Sequence, residues 1–391
     1  MRSYKSLYKA ALDAVPERLH FAAHSHHPWP DVTRDAQLQF WEDSVRWLDE
    51  KWEKRIFAET IPEAKRFLAK HLKLPAQAQI AFAPNTHELA YRLISCFPQS
   101  TQFRILTTDS EFHSFSRQVE RLREEKLCAV DKVPVEPFQT FPERFLQKAR
   151  SGQYDLIYVS HVFFNSGYVF SDLDQLAAET HDKTVIAVDG YHAFGAVPVD
   201  LSRSWGRIFY LAGGYKYTQA GEGACFMTLS QRAAEFKPRQ TGWFAGFGSL
   251  ASTQKSGVAF SDDWWRYAGS TFDPSGWYRF NAVMRLWDYE SINVELIHER
   301  AQTLQRRFLD RLAERSPSVL PPDSRVRTGK DLERQGNFLT FDLANAGSLQ
   351  ESLMRQKVIT DARGTRLRFG FGLYHDLSDT ERLLDVLTHL G

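Results

Sequence analysis

The sequence predicts an α/β fold: a mostly parallel sheet with helices on both faces, joined to a smaller α/β unit. Short apolar runs recur from residue 80 to residue 228, and many are separated by polar stretches with helical spacing. That alternation is what a parallel sheet needs, because its crossovers are helices. The texture changes after residue 281, where one long amphipathic stretch leads into a shorter mixed segment. A chain of 391 residues with 43% hydrophobic and 25% charged side chains has enough apolar surface for a sizeable core.

In chain order, residues 1–52 open with a polar stretch that turns amphipathic, and a helix is expected around Asp31 to Trp52, packed with the smaller unit. Residues 53–281 hold the apolar runs of the large unit: Ile80–Ala83, Arg104–Thr108, Leu156–Ser160, Val185–Asp189, Ile208–Ala212 and Ala224–Thr228. Helical spacing fills Glu111–Lys126 and Asp172–Thr180. The Gly/Ser-rich piece from Gly242 to Gly257 reads as a functional loop. Residues 282–391 form the smaller unit. Ala282–Leu312 has no Pro or Gly and reads as one helix; Ser316–Gly336, with three prolines, reads as a loop. A strand (Phe338–Leu343), a helix (Leu349–Gln356), short strands near Val358 and Leu367, and a last helix follow. Ser378-Asp-Thr-Glu381 matches a capping box before that helix.

Charge narrows the partners. With 49 basic and 48 acidic residues the formal charge is +1, which argues against nucleic acid or an acidic membrane as the main partner. The three cysteines, Cys96, Cys128 and Cys225, form no CxxC pair, which fits a reducing compartment. The N-terminus lacks the apolar stretch of a signal peptide and no window reaches bilayer length, so a cytoplasmic protein is expected.

The most informative stretch runs from Val185 to Asp200 and on to Leu211-Ala-Gly-Gly-Tyr-Lys-Tyr217. Each half begins as an apolar strand and ends in polar residues, and the C-terminal ends of parallel strands face one crevice. Asp189 and Lys216 are therefore expected in the same pocket. In pyridoxal phosphate (PLP) chemistry a lysine amine forms a Schiff base with the cofactor aldehyde, while a carboxylate keeps the pyridine nitrogen protonated. A buried structural Asp–Lys pair explains the spacing equally well. Pro84-Asn85-Thr86-His87-Glu88 follows a strand and opens a helix, which suits a phosphate; Thr86 and His87 are both candidates.

Asp189-x-x-His192, Gly195-x-x-Pro198 and the later Tyr-Lys-Tyr resemble the class V aminotransferase-fold PLP enzymes of fold type I, and among these most closely the kynureninases. The resemblance extends over most of the chain. His24-Ser25-His26 stands where that family has an Asn-Ser segment. Ser160-His-Val-Phe-Phe-Asn-Ser-Gly167 and Thr241-Gly-Trp-Phe244 are similar to family motifs, as are Asp361-Ala-Arg363, Leu367-Arg-Phe-Gly370 and Leu373-Tyr374. The resemblance implies a seven-stranded sheet, PLP on Lys216 with the same amine shuttling the Cα proton, Asp189 at the pyridine nitrogen and His192 beside it. It also implies Tyr215 at the phosphate and in acid/base steps, Phe112 stacked on the cofactor and Trp243 near the phosphate. Ser270 and Thr271 would reach across a homodimer, and Phe163 would stand at the pocket where the family has Asn. Arg368, favoured over Arg363 and Arg366, would bind the substrate carboxylate with its guanidinium fork, and Ser25 and His26 would lie on the substrate side.

The implied activity is kynureninase-like hydrolysis of a carbon–carbon bond in kynurenine or a related amino acid. The alternative is a class V PLP aminotransferase or lyase acting on another small amino acid. A desulfurase using a C-terminal cysteine is not expected, because no Cys follows Cys225. Nor is zinc, because His24, His26 and His27 lack a second ligand group at a recognised spacing.

Overall fold

In the computed structural model, which describes residues 1–98, 102–249 and 257–391, the apolar runs become strands of one large sheet. The strands are β1 (Leu19–His20), β2 (Ile80–Ala83), β3 (Phe103–Thr108), β4 (Cys128–Val133), β5 (Leu156–Ser160) and β6 (Val185–Asp189). They continue with β7 (Ile208–Gly213), β8 (Cys225–Thr228), β9 (Phe338–Asp342), β10 (Val358–Ile359), β11 (Asp361–Arg363) and β12 (Arg366–Gly370). The α-helices are α1 (Lys9–Asp13), α2 (Val32–Trp47), α3 (Ile61–Leu72), α4 (Thr86–Ile94), α5 (His113–Glu124) and α6 (Phe141–Arg150). After them come α7 (Leu173–Glu179), α8 (Ser275–Tyr289), α9 (Val294–Arg315), α10 (Ala346–Arg355) and α11 (Leu377–Leu390).

The large sheet has seven strands in the order β2-β8-β7-β6-β5-β3-β4. Its run from β7 to β4 is parallel. β8 is antiparallel to both of its neighbours, β7 and β2, so the sheet is mixed. Every residue of β5 and β7 is buried, which is why these strands read as unbroken apolar runs: helices cover both faces. β4 was not anticipated. As an edge strand it carries Asp131 and Lys132 and is only partly buried, so its sequence lacks the apolar signal.

A second, smaller core gathers Leu304, Phe308, Leu312, Phe341, Phe369 and Leu384 around the antiparallel sheet β11-β12-β9. The fold is thus α/β, with a helix-flanked mixed sheet and a smaller α/β subdomain. Residues 1–52 serve both parts: β1 pairs in parallel with β10, while α2 packs on α8. Asp43 of α2 accepts from the Tyr278 hydroxyl of α8 at 2.9 Å.

Three expectations need correction. Ala282–Leu312 is not one helix. α8 starts earlier, at Ser275, and ends at Tyr289; Ser291 takes φ 54° and Asn293 caps α9 by accepting from Leu296 N at 2.8 Å. The apolar spacing hid the break because both helices bury a face across it. A boundary at 281/282 cuts α8, whose Val283, Met284 and Trp287 belong to the large core; we propose that the units meet in the turn at 290–293. The last capping box is built from Asp376 and Asp379, two residues earlier than the Ser378/Glu381 pair of the same spacing. Glu381 instead pairs with Arg307, Arg311 and Arg315.

Residues 243–249 of the Gly242–Gly257 piece form short 3-10 turns with a kink at Gly246, and residues 250–256 of it lie outside the described residues. Among the described residues no helix is long and apolar enough to cross a membrane.

Candidate active site

The C-terminal ends of β5, β6 and β7 meet the start of α4 around one cavity of ≈ 190 Å³. Asp189 is the last residue of β6. Its Oδ1 accepts from Tyr191 N at 2.9 Å and its Oδ2 from the Tyr158 hydroxyl at 3.2 Å. Gly190 follows, where a Cβ would sit 2.1 Å from the Tyr210 ring, so only glycine lets the chain turn so close to β7. Lys216 stands just past β7. Its Nζ lies 2.6 Å from His192 Nε2, 4.6 Å from the Tyr191 ring centre and 5.7 Å from that of Phe112.

Burial dominates the electrostatics here. It pushes the Lys216 amine down to about 7, while the Asp189 charge pulls the other way. His192 is held well below the ordinary imidazole range, first by burial and then by Lys216. Asp189 is raised by burial, against its hydrogen bond from Tyr191 and the charge of Lys216. Tyr215 is raised to about 12 and stays a phenol.

Several expected residues line the cavity: Asp189, His192, Tyr215, Lys216, Phe112, Thr86 and His87. Asn85 caps α4 by accepting from Glu88 N at 2.8 Å, which leaves the first N–H groups of that helix at the cavity wall. His87 is turned onto Gln118, with its Nδ1 2.6 Å from Gln118 Nε2.

Others are placed elsewhere. Phe163 is not at the pocket: its backbone is tied into a tight turn with Gly167 and Tyr168, and its ring packs edge-on against Phe141 in the core at 5.6 Å. Its neighbour Phe164 lines the cavity instead. Trp243 is 45% exposed and packs on Phe244 and Phe247, away from its own chain's cavity. Ser270 and Thr271 are exposed and also off the cavity. Ser25 and His26 do not line it; His26 stacks on Tyr215 at 4.8 Å and its Nε2 is 3.7 Å from Glu222 at the mouth.

Arg368 is buried behind Phe164, with its fork on the Phe164 carbonyl and on Asp361. Burial lowers it to about 10 against the pull of Asp361. The competing Arg363 is exposed, and Arg366 pairs with Glu136 and Asp342. Among the described residues Arg368 Nε has no hydrogen-bond partner, nor have His192 Nδ1 and the two ring nitrogens of His24, whose Nε2 lies 3.9 Å from Asp361 Oδ2.

Sequence reasoning singled out neither Ser160, Phe164 and Tyr191, which line the cavity, nor Glu111, which holds Ser160 from behind. The first three lie inside the quoted stretches and Glu111 heads the one with helical spacing; burial, invisible in sequence, separates them from their neighbours. Among the described residues no group of three or more His, Cys, Asp or Glu could hold a metal ion.

The cavity fits a phosphate-bearing pyridine aldehyde. It offers an amine that is neutral at accessible pH, an acid across from it, the aromatic ring of Phe112, a capped helix start for the phosphate and an orphaned imidazole nitrogen.

The profile of the family described as aminotransferase class-V matches residues 50–382. A kynureninase from Pseudomonas fluorescens is 23% identical over 224 residues, covering 55% of this chain and 51% of that protein. The match thus spans about half the length of that relative. Among solved structures, the apo cysteine desulfurase of Thermococcus onnurineus NA1 superposes with TM-score 0.80 at 16% identity, covering 100% of this chain and 98% of that one. An Escherichia coli cysteine desulfurase gives 0.81 at 16% identity, over 99% and 97%. A cystine C–S lyase in complex with cysteine persulfide gives 0.79 at 15%, over 96% and 99%. At these identities the structures establish a shared fold. The cofactor of this architecture is PLP, and the chain belongs to the class-V aminotransferase family.

Proposed function

We propose that this protein is a PLP-dependent aminotransferase or lyase acting on a small amino acid. The observation that carries the reading is the buried Lys216 amine, lowered to about 7 beside His192 and across from Asp189.

The bound cofactor supplies an electron sink for the carbanion at the substrate Cα. Lys216 would hold the cofactor through Nζ, with Asp189 at its ring nitrogen, Phe112 against its ring face and Thr86 with the α4 N–H groups at its phosphate. Thr86 is the better phosphate ligand of the pair, because the His87 ring is engaged by Gln118. Near neutral pH the Lys216 Nζ carries a free lone pair for part of the time and accepts the Cα proton. His192, kept neutral, stands within hydrogen-bond distance of Nζ through its Nε2 and orients it. Arg368 would orient the substrate carboxylate from behind Phe164, and its Nε has no hydrogen-bond partner among the described residues. Trp243, Ser270 and Thr271, all off their own cavity, would serve a partner's site in a homodimer.

The test is a substrate screen on purified, PLP-loaded protein. Release of ammonia or sulfide with a keto acid marks a lyase; amino-group transfer to an added keto acid marks an aminotransferase. Anthranilate from kynurenine without either would overturn this reading in favour of kynureninase-like hydrolysis, a second reading supported by the partial identity to the Pseudomonas enzyme. Lys216→Ala abolishes turnover in either case; unchanged activity would reject both.

A further inference from the structure

Behind the cavity wall lies a carboxyl group that the proposed chemistry does not use. Glu111 follows β3 and is 4% exposed. Its Oε1 accepts from Thr108 Oγ at 2.7 Å and from Ser160 N at 3.2 Å; its Oε2 accepts from Ser160 Oγ at 2.6 Å. All three partners are neutral donors. Ser160 lines the cavity and pairs in register with Asp189 across β5 and β6. Phe112, next in sequence, lines the same cavity.

We propose that Glu111 is a positioning residue for the cofactor's ring nitrogen: it pins Ser160 beside Asp189 and places a second buried negative charge behind it. The inference rests on the proposed seat of the ring nitrogen at Asp189.

The charged and titratable groups facing Glu111 are Asp189 from β6 and Tyr158 from β5. Thr108 of β3 and Ser160 of β5 meet it as neutral hydroxyls, and Ser116 of α5 donates its hydroxyl to the Glu111 carbonyl. Burial first, and then the Asp189 charge against its three hydrogen bonds, pushes the Glu111 carboxyl up to about 7. Above that pH it is an anion in a low-dielectric wall, and an anion there raises the proton affinity of whatever base Asp189 faces. A buried carboxylate with no cation bonded to it among the described residues is otherwise an expensive way to hold two hydroxyls and one backbone N–H.

The test uses holoprotein loaded with PLP carrying 15N at the ring nitrogen. The 15N chemical shift, followed against pH, reports protonation directly, and the cofactor dissociation constant is measured in parallel. Asp189→Asn moves the ring nitrogen towards its unprotonated shift; if it does not, the seat itself is wrong. With Asp189→Asn behaving as expected, Glu111→Gln lowers the midpoint of the 15N transition by about one pH unit. A Glu111→Gln protein whose cofactor dissociation constant changes while the 15N midpoint stays put makes Glu111 a structural prop and overturns the inference. Should Glu111→Gln fail to fold, Thr108→Val keeps the carboxyl but removes one donor to its ionised form. The midpoint then falls in the same direction by a smaller amount, and an unmoved midpoint overturns the inference equally.

Discussion

Lys216 sits among the rings of Phe112, Tyr191 and Tyr215, and burial lowers its amine from the ordinary 10.5 to about 7. The unfolded chain keeps its proton up to about 10.5, whereas the folded apoprotein gives it up near 7. Between those values the unfolded state binds more protons, so the wild-type apoprotein gains stability as pH rises through this window. Methionine is similar in length and titrates in neither state. Lys216→Met is therefore expected to stabilise the apoprotein by roughly 2–4 kcal/mol below pH 7, with the gain shrinking to nothing near pH 10.5. Urea unfolding of both apoproteins at pH 6.5 and pH 10 checks this; a difference that does not change with pH would mean the amine is not titrating as its surroundings dictate. The same cost explains why a lysine is found here: a residue this costly in the empty fold is retained for what it does with a ligand.

At the scale of elements, the parts of the fold legible in the sequence are those with strong local signals. β5, β6 and β7 are buried on both faces and read as plain apolar runs, and the polar residues at their ends marked Asp189 and Lys216. β4 was hidden by its polar edge, and the α8–α9 break by continuous periodicity, although Asn293 carried the capping signal. Which of Phe163 and Phe164 faces the cavity follows from a turn closed by Gly167 N on the Phe163 carbonyl at 2.8 Å, a contact no spacing rule encodes. The Asn293 cap has a measurable consequence. It satisfies the Leu296 N–H at the head of a helix of 22 residues. Asn293→Ala is expected to cost about 1 kcal/mol in chemical unfolding, and Asn293→Gly only a few tenths. Equal losses would mean that the side chain packs there rather than caps.

At the scale of the molecule, Arg368 joins the two cores. It lies in the middle of β12, between Asp361 of β11 and Thr340 of β9 in register. Its guanidinium crosses to the Phe164 carbonyl on the cavity wall of the large unit. The proposed carboxylate ligand thus stands on the small sheet while Lys216 and Asp189 stand at strand ends of the large one, and under the proposed function a substrate that engages both would bridge them. Lysine at position 368 would keep the charge but lose the fork, so it could not bond Phe164, Asp361 and a carboxylate together. Arg368→Lys is expected to raise KM for the amino acid about tenfold or more, the loss of roughly 1.4 kcal/mol for one charge-assisted hydrogen bond. The cofactor, whose proposed seat lies on elements of the large unit, should dissociate within about twofold of the wild-type constant, a difference of roughly 0.4 kcal/mol. The two constants are read separately, by steady-state kinetics and by spectroscopic titration with PLP. A parallel loss in both would show that Arg368 braces one core against the other and that the substrate carboxylate is held elsewhere.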